Sequence, residues 1–137
     1  MASLHLVFHF CSPDRVKFFL SLGLIHHLIL KMSAIRNMNE FYKRLDASDR
    51  KLVVLDFYAT WCGPCQEMDS VVKSLARKYG SRVDIMKINV DRFEELMDMY
   101  NVRSMPTFVF IKNNRKMSRM TGADEHKLKQ MIYKLCD

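Results

Sequence analysis

The chain is poor in cysteine, and it has neither a membrane-length apolar run nor a block of like charge. Each lack removes a class of protein. Four cysteines in 137 residues, two of them alone near the ends as Cys11 and Cys136, are too few and too unevenly placed for a disulfide scaffold. Only Cys62 and Cys65 form a close pair. A structural zinc site needs a second ligand pair, but His26 and His27 lie in an apolar run and His126 stands alone. No metal is expected. The apolar stretch at residues 18–30 holds about a dozen residues where a membrane span needs about 20. With only four glycines and three prolines there is no low-complexity segment, and no internal repeat is present.

The net charge is +7, of which Arg15, Lys17 and Lys31 against Asp14 supply +2 and residues 32–137 supply +5. A basic domain is drawn toward acidic or nucleic-acid-bearing surroundings, although a solvated mixed surface accounts for most of this charge. No dense Lys/Arg block and no basic stripe interleaved with aromatics is present, which argues against sequence-specific nucleic-acid binding.

Residues 1–31 differ in character from the remainder of the chain. Their positive charge comes late, at Arg15 and Lys17, and no small-residue cleavage site succeeds the apolar run. They are not rich in arginine and serine, as a mitochondrial transit segment is. The leading expectation is a leader or gene-model extension outside the fold, with Met32 as the natural start and residues 32–137 as one domain. A working signal or membrane anchor is the alternative.

From Met32 onward strand and helix patterns alternate. Residues 33–36 read as a short edge strand, and Asn37 with Glu40 has the spacing of a capping box opening a helix over 37–48. Residues 52–58 are continuously apolar except for Asp56, the pattern of a strand covered on both faces. Met68, Val71, Val72, Leu75 and Tyr79 then make one helical stripe that Gly80 stops. A strand over 83–90 comes next, and Asp91 with Glu94 is expected to cap a helix carrying Phe93, Leu96, Met97 and Tyr100. Residues 108–111 and 115–121 form a hairpin about Asn113-Asn114, and Asp124 opens a final helix with Leu128, Met131, Ile132 and Leu135 inward. The order β-α-β-α-β-α-β-β-α predicts an α/β fold with a mixed central sheet and helices on both faces.

The chemistry centres on Cys62-Gly63-Pro64-Cys65, at the junction of a buried strand and a helix. Free amides and the positive end of the helix dipole favour a thiolate there, below a model thiol's pKa of about 8.5. Cys62, expected to be the more exposed sulfur, is the nucleophile, and Cys65, one turn deeper, resolves the mixed disulfide. Two inert thiols or half a metal site are the bland alternatives. Asp56 is an acid inside a doubly covered strand, costly unless paired or neutral. A strand-end acid reaching solvent is its plainer reading. Pro106, on the residues alone, is equally an ordinary loop proline, Lys87 a surface lysine and Trp61 a packing residue.

Trp61-Cys62-Gly63-Pro64-Cys65 after the apolar strand, Ser104-Met105-Pro106-Thr107 downstream and Gly122-Ala123 before the last helix together resemble the thioredoxin family over essentially all of residues 32–137. The wording is most similar to animal cytosolic and nuclear thioredoxins, including a germline form of flies. The resemblance implies a thioredoxin fold with a five-stranded mixed sheet, and a protein-disulfide reductase that needs no bound cofactor. It implies a Cys62–Cys65 redox disulfide recycled with NADPH by thioredoxin reductase, disulfide-containing protein substrates and a monomer. The setting it implies is the cytoplasm, with the nucleus a second site, in electron transport and cell redox homeostasis. Membrane attachment is expected only if residues 1–31 are an anchor.

Residue by residue, the resemblance makes Asp56 the proton-transfer group for Cys65, Lys87 its tuning partner, and Gly63 and Pro64 the redox-tuning pair of reducing members. Trp61, Met105 and a cis Pro106 become substrate-binding residues, with the Met105 backbone offered to an extended segment. Two departures stand out: Gln66 replaces a lysine common after the second cysteine, and Ser104 replaces a regulatory cysteine of vertebrate members. Cys136 is expected as a spectator thiol at a frayed end. A secretory disulfide oxidase or isomerase, disfavoured by Gly63-Pro64, and a non-catalytic binding module are the competing functions.

Overall fold

The computed structural model describes residues 32–48 and 50–137; the expectations for residues 1–31, Cys11 included, lie outside the described residues. Five strands and four helices alternate: β1 (Met32–Ala34), α1 (Met38–Ala47), β2 (Leu52–Tyr58), α2 (Gly63–Tyr79), β3 (Val83–Asn89), α3 (Glu94–Met99), β4 (Thr107–Lys112), β5 (Arg115–Thr121) and α4 (Glu125–Leu135). The sheet order is β1-β3-β2-β4-β5. β3 is parallel to both β1 and β2, while β4 runs antiparallel to β2 and β5 antiparallel to β4. The alternating order and the mixed five-stranded sheet are as the sequence predicts.

Each face of the sheet is covered, which is why β2 is apolar at consecutive positions. Val53, Leu55 and Phe57 point to one face, where they join Phe41 of α1, Met86 and Ile88 of β3, and Leu96 of α3. Leu52 and Val54 point to the other, with Met68, Val72 and Leu75 of α2, Phe108 and Phe110 of β4, and Leu128 and Ile132 of α4. Each fully buried phenylalanine contributes roughly 2 kcal/mol of hydrophobic stabilisation. Side chains alternate along a strand, so Asp56 falls on the α2 side with Leu52 and Val54. In the parallel register Asp56 pairs with Lys87, which shares that face with Val83 and Ile85.

Local signals account for most element boundaries. The Asn37 side chain accepts from the Glu40 amide at 2.8 Å, but Glu40 Oε2 accepts from Arg36 N and Nε rather than closing the box on Asn37. The Asp124 side chain accepts from the Lys127 amide at 2.9 Å, as an N-cap should. Asn113 and Asn114 take φ of 53° and 58°, the conformation a two-residue hairpin turn requires. The pairing jumps from Phe110–Ser118 to Ile111–Lys116, a bulge that passes over Met117 and leaves it exposed.

Two expectations are corrected. The expected cap of α3 is absent: its N-cap is Phe93 with no side-chain hydrogen bond, and Tyr100 lies beyond the helix. The Asp91 carboxylate is engaged elsewhere, accepting from Trp61 Nε1 at 3.0 Å. Helix α2 ends at Gly80 as expected, at φ −56°, so the glycine's left-handed freedom is unused. Second, the C-terminus is tied down rather than frayed. Lys112 Nζ donates to the Leu135 carbonyl at 3.1 Å, Arg82 pairs with Asp137 at 2.9 Å, and Cys136 is buried in the α2-side core.

The short edge strand β1, paired with β3, is also fastened by one side chain. Arg44 of α1 donates to Ser33 O at 3.2 Å, Ser33 Oγ at 3.0 Å, Asp84 Oδ1 at 2.6 Å and Ile85 O at 3.3 Å, joining α1, β1 and β3. Arg44→Ala should lower unfolding free energy by about 2–3 kcal/mol, because Asp84 is left part-buried without its partner. Arg44→Lys should restore less than half, since an ammonium cannot span the four acceptors. Urea denaturation of the three proteins checks both; a fully stable lysine variant would show that charge alone suffices.

Candidate active site

β2 ends at Tyr58, and four residues later the chain enters α2 with Cys62 as its N-cap. Cys62 and Cys65 are joined by a disulfide, S–S 2.11 Å, with Cα atoms 5.3 Å apart. The Cys65 amide donates to Cys62 Sγ at 3.2 Å, so the sulfur takes the place a serine or aspartate oxygen has at other helix starts. Pro64 lies in the first turn, where a missing N–H costs nothing. No acidic residue occupies that turn, leaving the positive dipole end uncompensated. Gln66 Nε2 donates to Thr60 O at 2.9 Å, tying the loop to the helix.

Exposure does not rank the two cysteines. As whole residues they are 6% and 7% exposed; position separates them, because Cys62 receives the amide of the helix's third residue. Pro106 is buried after a cis Met105–Pro106 bond. The Pro106 carbonyl accepts from Gly122 N at 2.9 Å, and Thr107 Oγ1 donates to Ser104 O at 2.7 Å, fixing the loop. Gly122 has φ 99°, which explains a glycine there. Among the described residues the Met105 amide and carbonyl have no hydrogen-bond partner. The Met105 side chain packs against the core cluster that contains both cysteines. Trp61, 67% exposed, and Met105 line one cleft of about 320 Å³ with Val90, Asp91 and Met97.

A second cleft, of about 250 Å³, lies on the α2 side, lined by Tyr58, Thr60, Cys65, Gln66, Asp69 and Lys87. Asp56 sits beneath it, 4% exposed, and Lys87 Nζ stands 4.0 Å from its carboxylate. Burial pushes the Asp56 carboxyl up from 3.8 to about 6; the Lys87 charge opposes the rise and Asp69 adds to it. Lys87 is also ion-paired with Asp69 and lies 4.6 Å from the centre of the Tyr58 ring. The described residues thus place Cys62, Cys65, Gly63 and Pro64 at one helix start, Trp61 and Met105 in one cleft, and Lys87 beside Asp56. Sequence reasoning missed Asp69, although its place four residues after Cys65 and four before Lys73 was readable. The Trp61–Asp91 bond was also missed, and no local pattern announces it. No cluster of three potential metal ligands occurs among the described residues.

The thioredoxin family model matches residues 32–134. Thioredoxin-1 of Drosophila melanogaster is 62% identical over 104 residues, spanning 76% of this chain and 97% of that protein. Human thioredoxin is 40% identical, spanning 74% of this chain and 95% of its own length. The crystal structure of Deadhead, the germline-specific Thioredoxin-1 of the same fly, superposes with a TM-score of 0.74 at 62% identity, over 76% of this chain and 99% of that one. The chain belongs to the thioredoxin family. Thioredoxins are thiol-disulfide oxidoreductases, and this thioredoxin holds its redox-active cysteine pair at bonding distance.

In the oxidised thioredoxin the buried acid is a stability cost. Below pH 3.8 Asp56 is protonated folded or unfolded; between there and about 6 the unfolded chain releases the proton first; above 6 the folded state bears the whole penalty. Asp56→Asn should therefore raise unfolding free energy at pH 7.5 by up to about 3 kcal/mol, and at pH 4 by only about half a kcal/mol. Urea unfolding at the two pH values checks this, and an equal gain at both would show that charge is not the cause.

Proposed function

We propose that this thioredoxin is a protein-disulfide reductase acting through Cys62 and Cys65, with residues 32–137 as its working domain and residues 1–31 outside it. The observation that carries the reading is the Cys65 amide aimed at Cys62 Sγ at the start of α2. That donor and the helix dipole stabilise a thiolate once the pair is reduced. The Cys62 thiolate attacks a substrate disulfide; the Cys62–substrate bond forms and one substrate thiolate leaves. The Met105 backbone, without a partner among the described residues, pairs with the extended segment bearing that disulfide, and Trp61 and Pro106 wall the approach. Asp56 then accepts the Cys65 proton through water in the α2-side cleft. The Cys65 thiolate attacks Cys62 Sγ, the Cys62–substrate bond breaks, and the second substrate sulfur departs and is protonated. The substrate disulfide ends as two thiols, while Cys62 and Cys65 return to the disulfide. Lys87 tunes Asp56, and Gly63-Pro64 sets the pair toward reduction.

Electrons return from NADPH through a thioredoxin reductase, so no bound cofactor is required, and the protein works as a monomer in cell redox homeostasis. Cytoplasm and nucleus are the compartments we assign. Among the described residues no helix is long and apolar enough to cross a membrane. The excess of positive charge supports a finer reading: preferred substrates are disulfide-bearing proteins packed on nucleic acid, approached by long-range attraction rather than by base recognition.

Cys65→Ser should accumulate substrates covalently bound to Cys62, released by dithiothreitol and identified by mass spectrometry, while Cys62→Ser should abolish disulfide reduction by at least a thousandfold. An absence of adducts with wild-type turnover equally absent would replace the reductase with a binding module built on the Trp61 cleft. Steering is tested separately. Reduction of a nucleic-acid-packed disulfide substrate should slow several-fold between about 20 and 200 mM salt, and a salt-independent rate would dismiss the finer reading.

A further inference from the structure

The Lys87 ammonium occupies an unexpected place. It is the cation nearest Asp56, yet at 4.0 Å it makes no hydrogen bond to that carboxylate. The carboxylate it hydrogen-bonds is Oδ1 of Asp69, on the second turn of α2. The other Asp69 oxygen, Oδ2, pairs with Lys73 at 2.6 Å, so both oxygens are engaged and the carboxylate is held from two sides. Four residues separate Asp69 from Cys65, placing them one turn apart on the same helix face, and both line the cleft beside Lys87.

We propose that Asp69 is a positioning residue of the thiol-disulfide exchange, holding the Lys87 ammonium off the Asp56 carboxyl and thereby keeping Asp56 a competent proton acceptor for Cys65. The proposal rests on the role given to Asp56 above. Its physical logic is a competition for one cation. A lysine free to approach Asp56 would hydrogen-bond the carboxylate and stabilise the charged form, making a weak base. A general base works best when its affinity for protons lies close to the working pH. Asp69 draws the ammonium toward the cleft mouth and adds a negative charge of its own, and both effects keep Asp56 basic. Asp69 itself stays ionised because its bonds to Lys73 and Lys87 hold its carboxyl below the usual range.

The groups facing Asp56 are few, so the competition is well defined. β3 contributes Lys87; α2 contributes Asp69, with Lys73 behind it; Tyr58 of β2 lies against the lysine; β4 presents apolar Phe108 opposite Asp56. Asp69 is 30% exposed in its side chain, consistent with a group that acts at the rim and does not hold the core together.

The test is a pH titration of the Asp56 carboxyl carbon by NMR on the oxidised full chain, which needs no substrate and is independent of reductase turnover. Asp69→Asn should lower the Asp56 midpoint by about one pH unit, and Asp69→Ala should do the same if the amide disturbs the helix. Asp69→Glu, which keeps the charge and the reach, should restore it. The acidic limb of the pH profile for mixed-disulfide resolution should move by the same amount, with resolution at pH 7.5 slowing a few-fold in Asp69→Asn and recovering in Asp69→Glu. In a Lys87→Met background the effect of Asp69→Asn should shrink, because there is no ammonium left to hold. An unchanged midpoint in Asp69→Asn and Asp69→Ala would overturn the proposal. So would an effect of the same size in the Lys87→Met background, which would reduce Asp69 to a bare nearby charge. If the midpoint moves as expected while the wild-type chain reduces no disulfide, the reductase reading fails and the Asp69–Lys87–Asp56 linkage stands.

Discussion

A carboxyl group buried beneath the helix that carries the redox pair is the constraint around which this molecule is arranged. Asp56 is the one ionisable break in the apolar run of β2, and the strand's alternation sends it toward α2 rather than toward α1 and α3. Nothing in the packing of Leu52, Val54, Phe108 and Phe110 requires an acid there; an apolar side chain would serve that core better. Burial brings its midpoint to about 6, close to neutrality, whereas an ordinary aspartate is fully ionised there. The parallel register then dictates its nearest cation, since Lys87 is the residue of β3 directly beside it.

The two sulfurs sit in different electrostatic surroundings although they are bonded to each other. Cys62 faces the end of α2 and takes a backbone amide, a fixed dipole that needs no side chain and does not titrate. Cys65 opens instead onto the cleft shared with Asp69 and Lys87, where charged side chains stand beside the neutral Thr60 and Gln66. A dithiol whose sulfurs must act in sequence gains from this separation. In the exchange proposed above, the amide favours a thiolate at Cys62 once the pair is reduced, and Cys65 is the sulfur that needs a base. Similar whole-residue burial of the two cysteines is compatible with this, because it is what the sulfurs face that differs.

Much of this was legible in the sequence because it is local. The order of elements, the doubly covered strand, the caps at Asn37 and Asp124, and the Asn113-Asn114 turn rest on spacings of two to four residues, and each forms where the spacing places it. The cysteine pair at a helix start is readable for the same reason. What failed were predictions that depended on a distant partner. Asp91 has the spacing of a cap for α3 yet is bound to the indole of Trp61, thirty residues earlier. The C-terminus has no local feature to fasten it, but Lys112 and Arg82 reach it from the sheet and the preceding turn. Asp69 was passed over because an acid and a lysine four residues apart on a helix read as an ordinary surface pair. Only the fold brings Lys87 across from β3 to claim its other oxygen.

The sign of the charge behaves in the same way at larger scale. The chain is basic as a whole, yet the cleft beside Trp61 is rimmed by Asp91, Glu94 and Asp98, with Arg103 drawn to Asp98 at 3.7 Å, and the cleft beside Cys65 balances Asp69 against Lys87. A sum of charges describes the field felt beyond a Debye length of about 8 Å, where the molecule attracts anionic surroundings. Within that distance the pairing of individual groups decides what a sulfur or a carboxyl experiences, and composition carries no information about pairing. The redox site is therefore governed by a few contacts between α2, β2 and β3, while the net charge governs only the approach to it.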